Sequence, residues 1–386
     1  MTLWIIEPRD PLIVRDGRPF GPNPGARAAT LAFPFPSTIA GGLRHKAGLA
    51  SNGGFDPAKI GHVLELGIRG PLLVQLDPQA DTIAEWLPPA PADALVLETE
   101  SPDTEHVRIQ WLAPRQLAGA SSLPTALVPV AQHPVIPNKI SGRTPHFWHA
   151  AAFQQWLAAP GNREKQQLVK LGIGQLEVDA RVHVSVLPDT LTAREGALFQ
   201  TQGLVFTQND GTRLALAAHL EHDDQPYQCA QFQQGGLAPL GGERRVMRWL
   251  PTKADVAGTQ APPELRNQII EARRCRVLLL TPGCFAAGYR PPLEWVRKGV
   301  TANLKAALVQ RAQVVSGWDL QEGKPKPTRR LAPAGSVYFI EWEAGADVAA
   351  WLDATWMRNV SDDPKDCRDG FGLAVYGAWP REEEQR

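Results

Sequence analysis

The chain has few of the residues that usually carry redox or metal chemistry: 4 cysteines and 9 histidines in 386 residues, with only 3 methionines and 4 tyrosines beside them. Cys229, Cys275, Cys284 and Cys367 show no CxxC spacing and no histidine at ligand distance. That excludes a recognisable zinc site and a disulfide framework. Also missing are GxxxxGK[ST], GxGxxG after a strand, GxSxG and HExxH, so the common nucleotide-binding, hydrolase and metalloprotease chemistries have no footing. No apolar stretch, the one around Val277–Leu280 included, approaches the roughly 18 residues that a membrane span needs. The first residues, Met1 to Glu7, lack the basic region and apolar length of a signal peptide. We therefore expect no cofactor, no membrane and a cytoplasmic protein.

What is abundant is glycine and proline, 34 and 35 residues, together with 12 tryptophans. Each glycine or proline inside a helix costs about 1 or 3 kcal/mol, so a helical bundle is excluded. Short strands and helices joined by shaped loops fit instead. The length suggests two domains. Net charge is zero, yet residues 241–330 hold 17 Lys/Arg against 7 Asp/Glu, a net of +10. A basic segment on an otherwise acidic chain can present a local field for a polyanion.

The pattern of residues predicts strands at Leu3–Ile6, Leu12–Val14, Val178–Leu187, Ala197–Phe206, Arg276–Leu280, Ser336–Trp342 and within Gly370–Trp379. The alternation at 178–187 marks a half-buried strand. Helices are predicted at about His146–Ala159, Leu293–Gln313 and Asp347–Trp356, and at Thr38–Leu49 with Ser37 as N-cap. Strands and helices mix without a regular βαβα alternation, which favours α+β with antiparallel sheet. A strand, a helix and further strands recur in each half, as two tandem ferredoxin-like (RRM-like) domains with glycine-rich loops would give. We place them at 1–225, with a proline-rich acidic insertion around 77–160, and at 226–386, containing the basic segment 241–330.

The helix at 38–49 is the most informative. Ile39, Leu43, Ala47 and Ala50 fall within a sector of about 80° and face a core. Gly41, Arg44, His45 and Gly48 lie opposite. An exposed helix glycine costs about 1 kcal/mol relative to alanine, which is reasonable where another backbone approaches closely. Arg44 suggests a phosphate backbone; a second stretch of this chain is the other option. Gly241-Gly242-Glu243-Arg244-Arg245 offers exposed amides followed by two guanidinium forks, a reasonable phosphate cradle. It lacks the second carboxylate of a two-metal site. His222-Asp223-Asp224 reads as a solvated turn. His45 is the single candidate acid/base group.

At these residues the chain resembles a known family. WIIEPRDPLIVRDGRPF at Trp4–Phe20, followed by FPFPSTIAGGLR at Phe33–Arg44, is similar to the opening of the type III-B CRISPR effector subunit that holds the 5′ end of the guide RNA. That subunit belongs to the repeat-associated mysterious protein (RAMP) superfamily. The similarity continues at Gly241–Arg245, Ser316–Leu320, Pro325–Arg330, Pro333–Phe339 and Gly370–Ala374. The resemblance implies two fused ferredoxin-like domains whose loops line a groove for the repeat-derived 5′ tag of the crRNA. It also implies contact with the large Palm-domain subunit and with the backbone subunit, within a hetero-assembly rather than a homo-oligomer. The subunit would be a scaffold and RNA clamp, not an enzyme.

The residue reading and the resemblance select overlapping positions. These are Arg15, Arg18, Ser37, Thr38, Gly41 and Arg44; then Gly241, Gly242, Arg244 and Arg245; then Lys324, Lys326, Arg329 and Arg330. Ser37 and Thr38 would offer helix N-terminal amides to a phosphate. Phe20 and Trp249 are candidates for stacking on splayed bases. Two alternatives stand beside the clamp: a repeat endoribonuclease using His45, and a pure protein scaffold whose basic segment docks an acidic partner.

Overall fold

The computed structural model describes residues 2–15, 26–99, 105–116, 119, 121–221, 235–253, 260–316, 318–319, 324–325 and 327–380. The chain is mixed α/β, built on antiparallel sheets. It divides into two units that do not coincide with a cut at 225/226. The first comprises 1–82, 176–254 and 314–329, and the second 83–175, 255–313 and 330–386. The expected insertion around 77–160 thus belongs almost wholly to the second unit.

In the first unit five strands lie side by side in the order Gly236–Leu240, Arg245–Thr252, Thr2–Pro8, Leu214–Glu221, Gly67–Leu76, each antiparallel to its neighbours. Leu3, Trp4, Ile5 and Ile6 are all buried, which explains why the central strand reads as a continuous apolar run. The first helix is Pro36–Ala47. Its N-cap is Phe35 and not Ser37, because Pro36 takes the first helical position, where its fixed φ and missing N–H cost nothing. Ile39, Leu43 and Ala47 are buried as the projection requires.

A long hairpin, Glu177–Val186 with Ala193–Val205, also belongs to this unit. The strand at 178–187 is present, but its valine face is not half-buried. Val178, Val182, Val184 and Val186 are exposed, Val182 at 65%, and so is Leu198, the cross-strand partner of Val184. Alternation specifies a strand with one apolar face. It does not supply the element that covers that face.

The second unit's sheet runs Glu294–Arg297, Val300–Leu308, Val337–Glu341, Arg274–Leu279, Leu373–Ala378, Arg358–Asn359, again antiparallel. The helix expected at 293–313 is instead its outer hairpin. Lys298 and Gly299 form a two-residue turn with φ of 49° and 74°, the left-handed pair that hairpin turns require. Ala302, Leu304 and Ala306 are buried at period two, while Val300, Leu304 and Leu308 also satisfy a helical spacing. The helix read at 347–356 is Val348–Asp353, capped by Asp347, whose carboxylate accepts from the Ala350 N–H at 3.0 Å.

Strands Ala94–Glu98 and His106–Pro114 and helix Ala150–Ala158 also belong to this unit, and a buried ion pair is among their ties to its sheet. Arg276 and Asp93 are both fully buried. Asp93 also accepts from the indole N–H groups of Trp111 and Trp156, at 3.3 and 2.9 Å. Arg276 donates further to the carbonyls of Ala378 and Trp156. Every polar end of the pair is thereby satisfied, as burial demands.

Candidate nucleic-acid interface

Three segments far apart in sequence meet in the first unit. Leu12, Ile13 and Val14 are buried, and Val14 is tied to Thr30–Leu31 by the Leu31 N–H at 2.7 Å. Arg15 follows at the surface. The Gly241 loop closes onto this segment. The Gly242 N–H donates to the Ile13 carbonyl at 2.7 Å, and a Cβ on Gly241, whose φ is 73°, would stand 2.4 Å from that same oxygen. Gly241 is therefore required by the chain itself. The helix completes the group. A Cβ on Gly42 would meet Trp249 at 2.7 Å and Leu240 at 2.9 Å, which seats the helix on the strand entering the loop.

The glycines on the helix separate cleanly. Gly48 is buried, and a Cβ there would strike the Phe55 ring at 2.2 Å. That is the intrachain role. Gly41 is exposed with nothing within 4 Å of an added Cβ, so no described part of the chain asks for glycine there. Ser37 and Thr38 are half-buried in the first turn. The half-buried Arg44 donates to the Leu66 carbonyl at 2.9 Å, which fixes its guanidinium beside the open face.

Glu243 lies between two arginines, its carboxylate 3.4 Å from Arg15 and 3.2 Å from Arg245. Arg244 is exposed and makes no hydrogen bond or ion pair among the described residues. Glu243 and Arg244 both have positive φ, 56° and 52°, rare for residues with side chains. The sequence reading passed over Glu243. Its pairing with Arg15 spans 228 positions and leaves no local signal.

Other expected residues fall elsewhere. Trp249 is fully buried, its indole N–H donating to Ala238 at 3.2 Å, so it is a core residue and not a stacking platform. It forms an edge contact with Trp4, and the buried Lys46 sets its ammonium 5.7 and 5.4 Å from the Trp4 and Trp249 ring centroids. Lys324 and Arg330 are exposed and Arg329 half-buried. Arg329 and Arg330 fall on either side of the boundary between the units. Arg18, Phe20 and Lys326 lie outside the described residues. The exposed His45 ring stacks on Phe55 with centroids 5.4 Å apart and makes no hydrogen bond among the described residues.

The basic segment is not one free field. Arg276 is sealed against Asp93, Arg266 is held by Asp353 at 3.0 Å, and Arg297 donates to the Val360 carbonyl. Arg248 joins Arg213 around Glu7 and Asp81. Hydrogen bonds from Arg248 hold the Asp81 carboxyl below its ordinary range. Beside the helix, Arg15 and Arg245 share the Glu243 carboxylate, and the exposed Arg244 makes no ion pair among the described residues.

Set against known proteins, the chain falls among CRISPR-associated proteins. The family model described as CRISPR-associated protein (Cas_Cmr3) matches residues 4–379, and the chain belongs to that family. No curated protein sequence matches it. One similar solved chain comes from the cryo-EM structure of the type III-B Cmr-beta bound to cognate target RNA. Its TM-score is 0.47 at 16% identity, over 87% of this chain and 86% of that one. A second, from the same assembly with target RNA and AMPPnP, gives 0.46 and 14%, with the same coverage of both chains. A chain of the Csm3-Csm4 subcomplex from a type III-A interference complex gives 0.35 and 9%, over 89% of this chain and 94% of that one.

Proposed function

We propose that this chain is the RNA-clamping subunit of a type III-B CRISPR effector. It holds the repeat-derived 5′ tag of the crRNA without cutting it and bridges the large Palm-domain subunit to the backbone filament. Family membership supports the place in a Cmr assembly. The strand orders support two ferredoxin-like domains. In the first unit, strands 245–252, 2–8, 214–221 and 67–76 follow the order 4-1-3-2 with a helix in the first crossover. In the second, 373–378, 274–279, 337–341 and 300–308 follow the same order with helices in the second crossover.

The observation that carries the clamp is the open glycine. Gly41 keeps a helix face flat where no described residue comes within 4 Å of an added Cβ. The anchored Arg44 stands beside it, and Leu240 under the neighbouring Gly42 leads directly into the Arg244–Arg245 loop. A flat backbone face flanked by guanidiniums suits a phosphodiester chain, with the amides of the first helical turn as further donors. Acid/base cleavage has little support, because His45 is stacked and lacks a hydrogen-bonding partner among the described residues.

The test is a titration of purified chain with guide RNA bearing its own 5′ tag or a scrambled one, resolved on native and denaturing gels. The clamp gives tag-dependent retardation of intact RNA that weakens with salt. Cleaved RNA, or equal retardation of both RNAs, would overturn it.

A further inference from the structure

We propose that Glu243 is a phosphate placeholder: its carboxylate occupies the fork between Arg15 and Arg245 until an RNA phosphate displaces it, which makes entry selective. The proposal rests on the RNA-clamp reading and deepens it, by assigning a specificity role to a residue which that reading leaves unused.

The geometry is that of an anion site with an internal anion in it. One carboxylate oxygen accepts from Arg15 Nη2 at 3.4 Å and the other from Arg245 Nη2 at 3.2 Å. A carboxylate and a phosphate both present paired oxygens to guanidinium forks, so the carboxylate marks where a phosphate would sit. The contacts are long and Glu243 is about one-third exposed, which makes the carboxylate easy to displace. Its backbone is committed: Gly241, Glu243 and Arg244 all have positive φ, and the loop is pinned at the Ile13 carbonyl. The carboxylate therefore stays close to the fork after it yields. Arg244 beside it has no partner among the described residues and is free to make the first contact.

A resident carboxylate repels every phosphate that does not displace it, so it lowers affinity for RNA in general. An RNA seated on the helix face delivers a phosphate into the fork and overcomes the repulsion. Specificity then comes from a repulsive element as well as an attractive one.

The experiment compares wild type with Glu243→Gln, which keeps shape and removes charge, on three probes: oligo-uridine, scrambled-tag guide RNA and tagged guide RNA. Glu243→Gln is expected to bind the first two about three- to tenfold more tightly and the tagged RNA with a smaller gain. Its salt dependence should steepen by about 0.7 in the log–log slope for each phosphate newly contacted. Thermal midpoints should match, which separates charge removal from misfolding. Equal gains on all probes, no gain, or weaker binding would overturn the placeholder. If wild type fails to distinguish tagged from scrambled RNA but Glu243→Gln still gains on oligo-uridine, the tag reading falls and the placeholder stands.

Discussion

Asp93 and Glu243 are both carboxylates held by arginine, and they differ in almost everything else. Asp93 is fully buried with Arg276 and accepts from two tryptophan indoles as well. Glu243 is partly exposed between Arg15 and Arg245 and depends on two long contacts. Burial decides what each can do. A sealed charge that loses its partner cannot turn to water, so Asp93 is architecture. An accessible one can exchange its partners for a ligand at small cost, so Glu243 is available for function.

Removing the partner should separate the two most sharply in the second unit. Asp93→Asn or Arg276→Met is expected to lose about 3–5 kcal/mol in urea unfolding. Asp93→Leu combined with Arg276→Met should lose much less than the sum, because no orphaned charge remains. If either single variant stays within about 1 kcal/mol of wild type, the buried pair is not a structural tie and Asp93 leaves the architectural side of the comparison.

In the first unit, Gly241→Ala places a methyl 2.4 Å from the Ile13 carbonyl at a φ of 73°. It should cost about 2 kcal/mol or more and loosen Arg15 and Arg245 together, which denaturation and RNA retardation would both register. The smallest effect on stability is expected for Glu243→Gln, within about 1 kcal/mol of wild type. A larger loss would move Glu243 to the architectural side of the comparison.

The same contrast explains what could be read from the sequence. Strands at 2–8, 274–279, 337–341 and 373–378 are apolar runs buried in sheet centres, and burial leaves a local imprint. The hairpin at 294–308 was ambiguous because Val300, Leu304 and Leu308 fit two periods. The deciding signal was the Lys298-Gly299 turn, which pairs Arg297 with Val300 and Val296 with Thr301. At the candidate site, residue type and family resemblance pick out Gly41, Arg44, Arg15, Gly241 and Arg245 one by one. What escaped was partnership. Gly48 meets Phe55, Trp249 is buried, and Glu243 reaches Arg15 across most of the first unit's sequence. A charge count along the chain also cannot show that Arg276, Arg266 and Arg248 are already paired.

The central claim is that the helix face at Gly41 is kept flat for RNA and not for the fold. Gly41→Ala tests it most directly when stability and binding are read on the same preparation. Alanine at this position meets no described residue within 4 Å and favours helix by about 1 kcal/mol. The account therefore expects a raised thermal midpoint together with a loss of affinity for tagged guide RNA. A raised midpoint with unchanged affinity would contradict it.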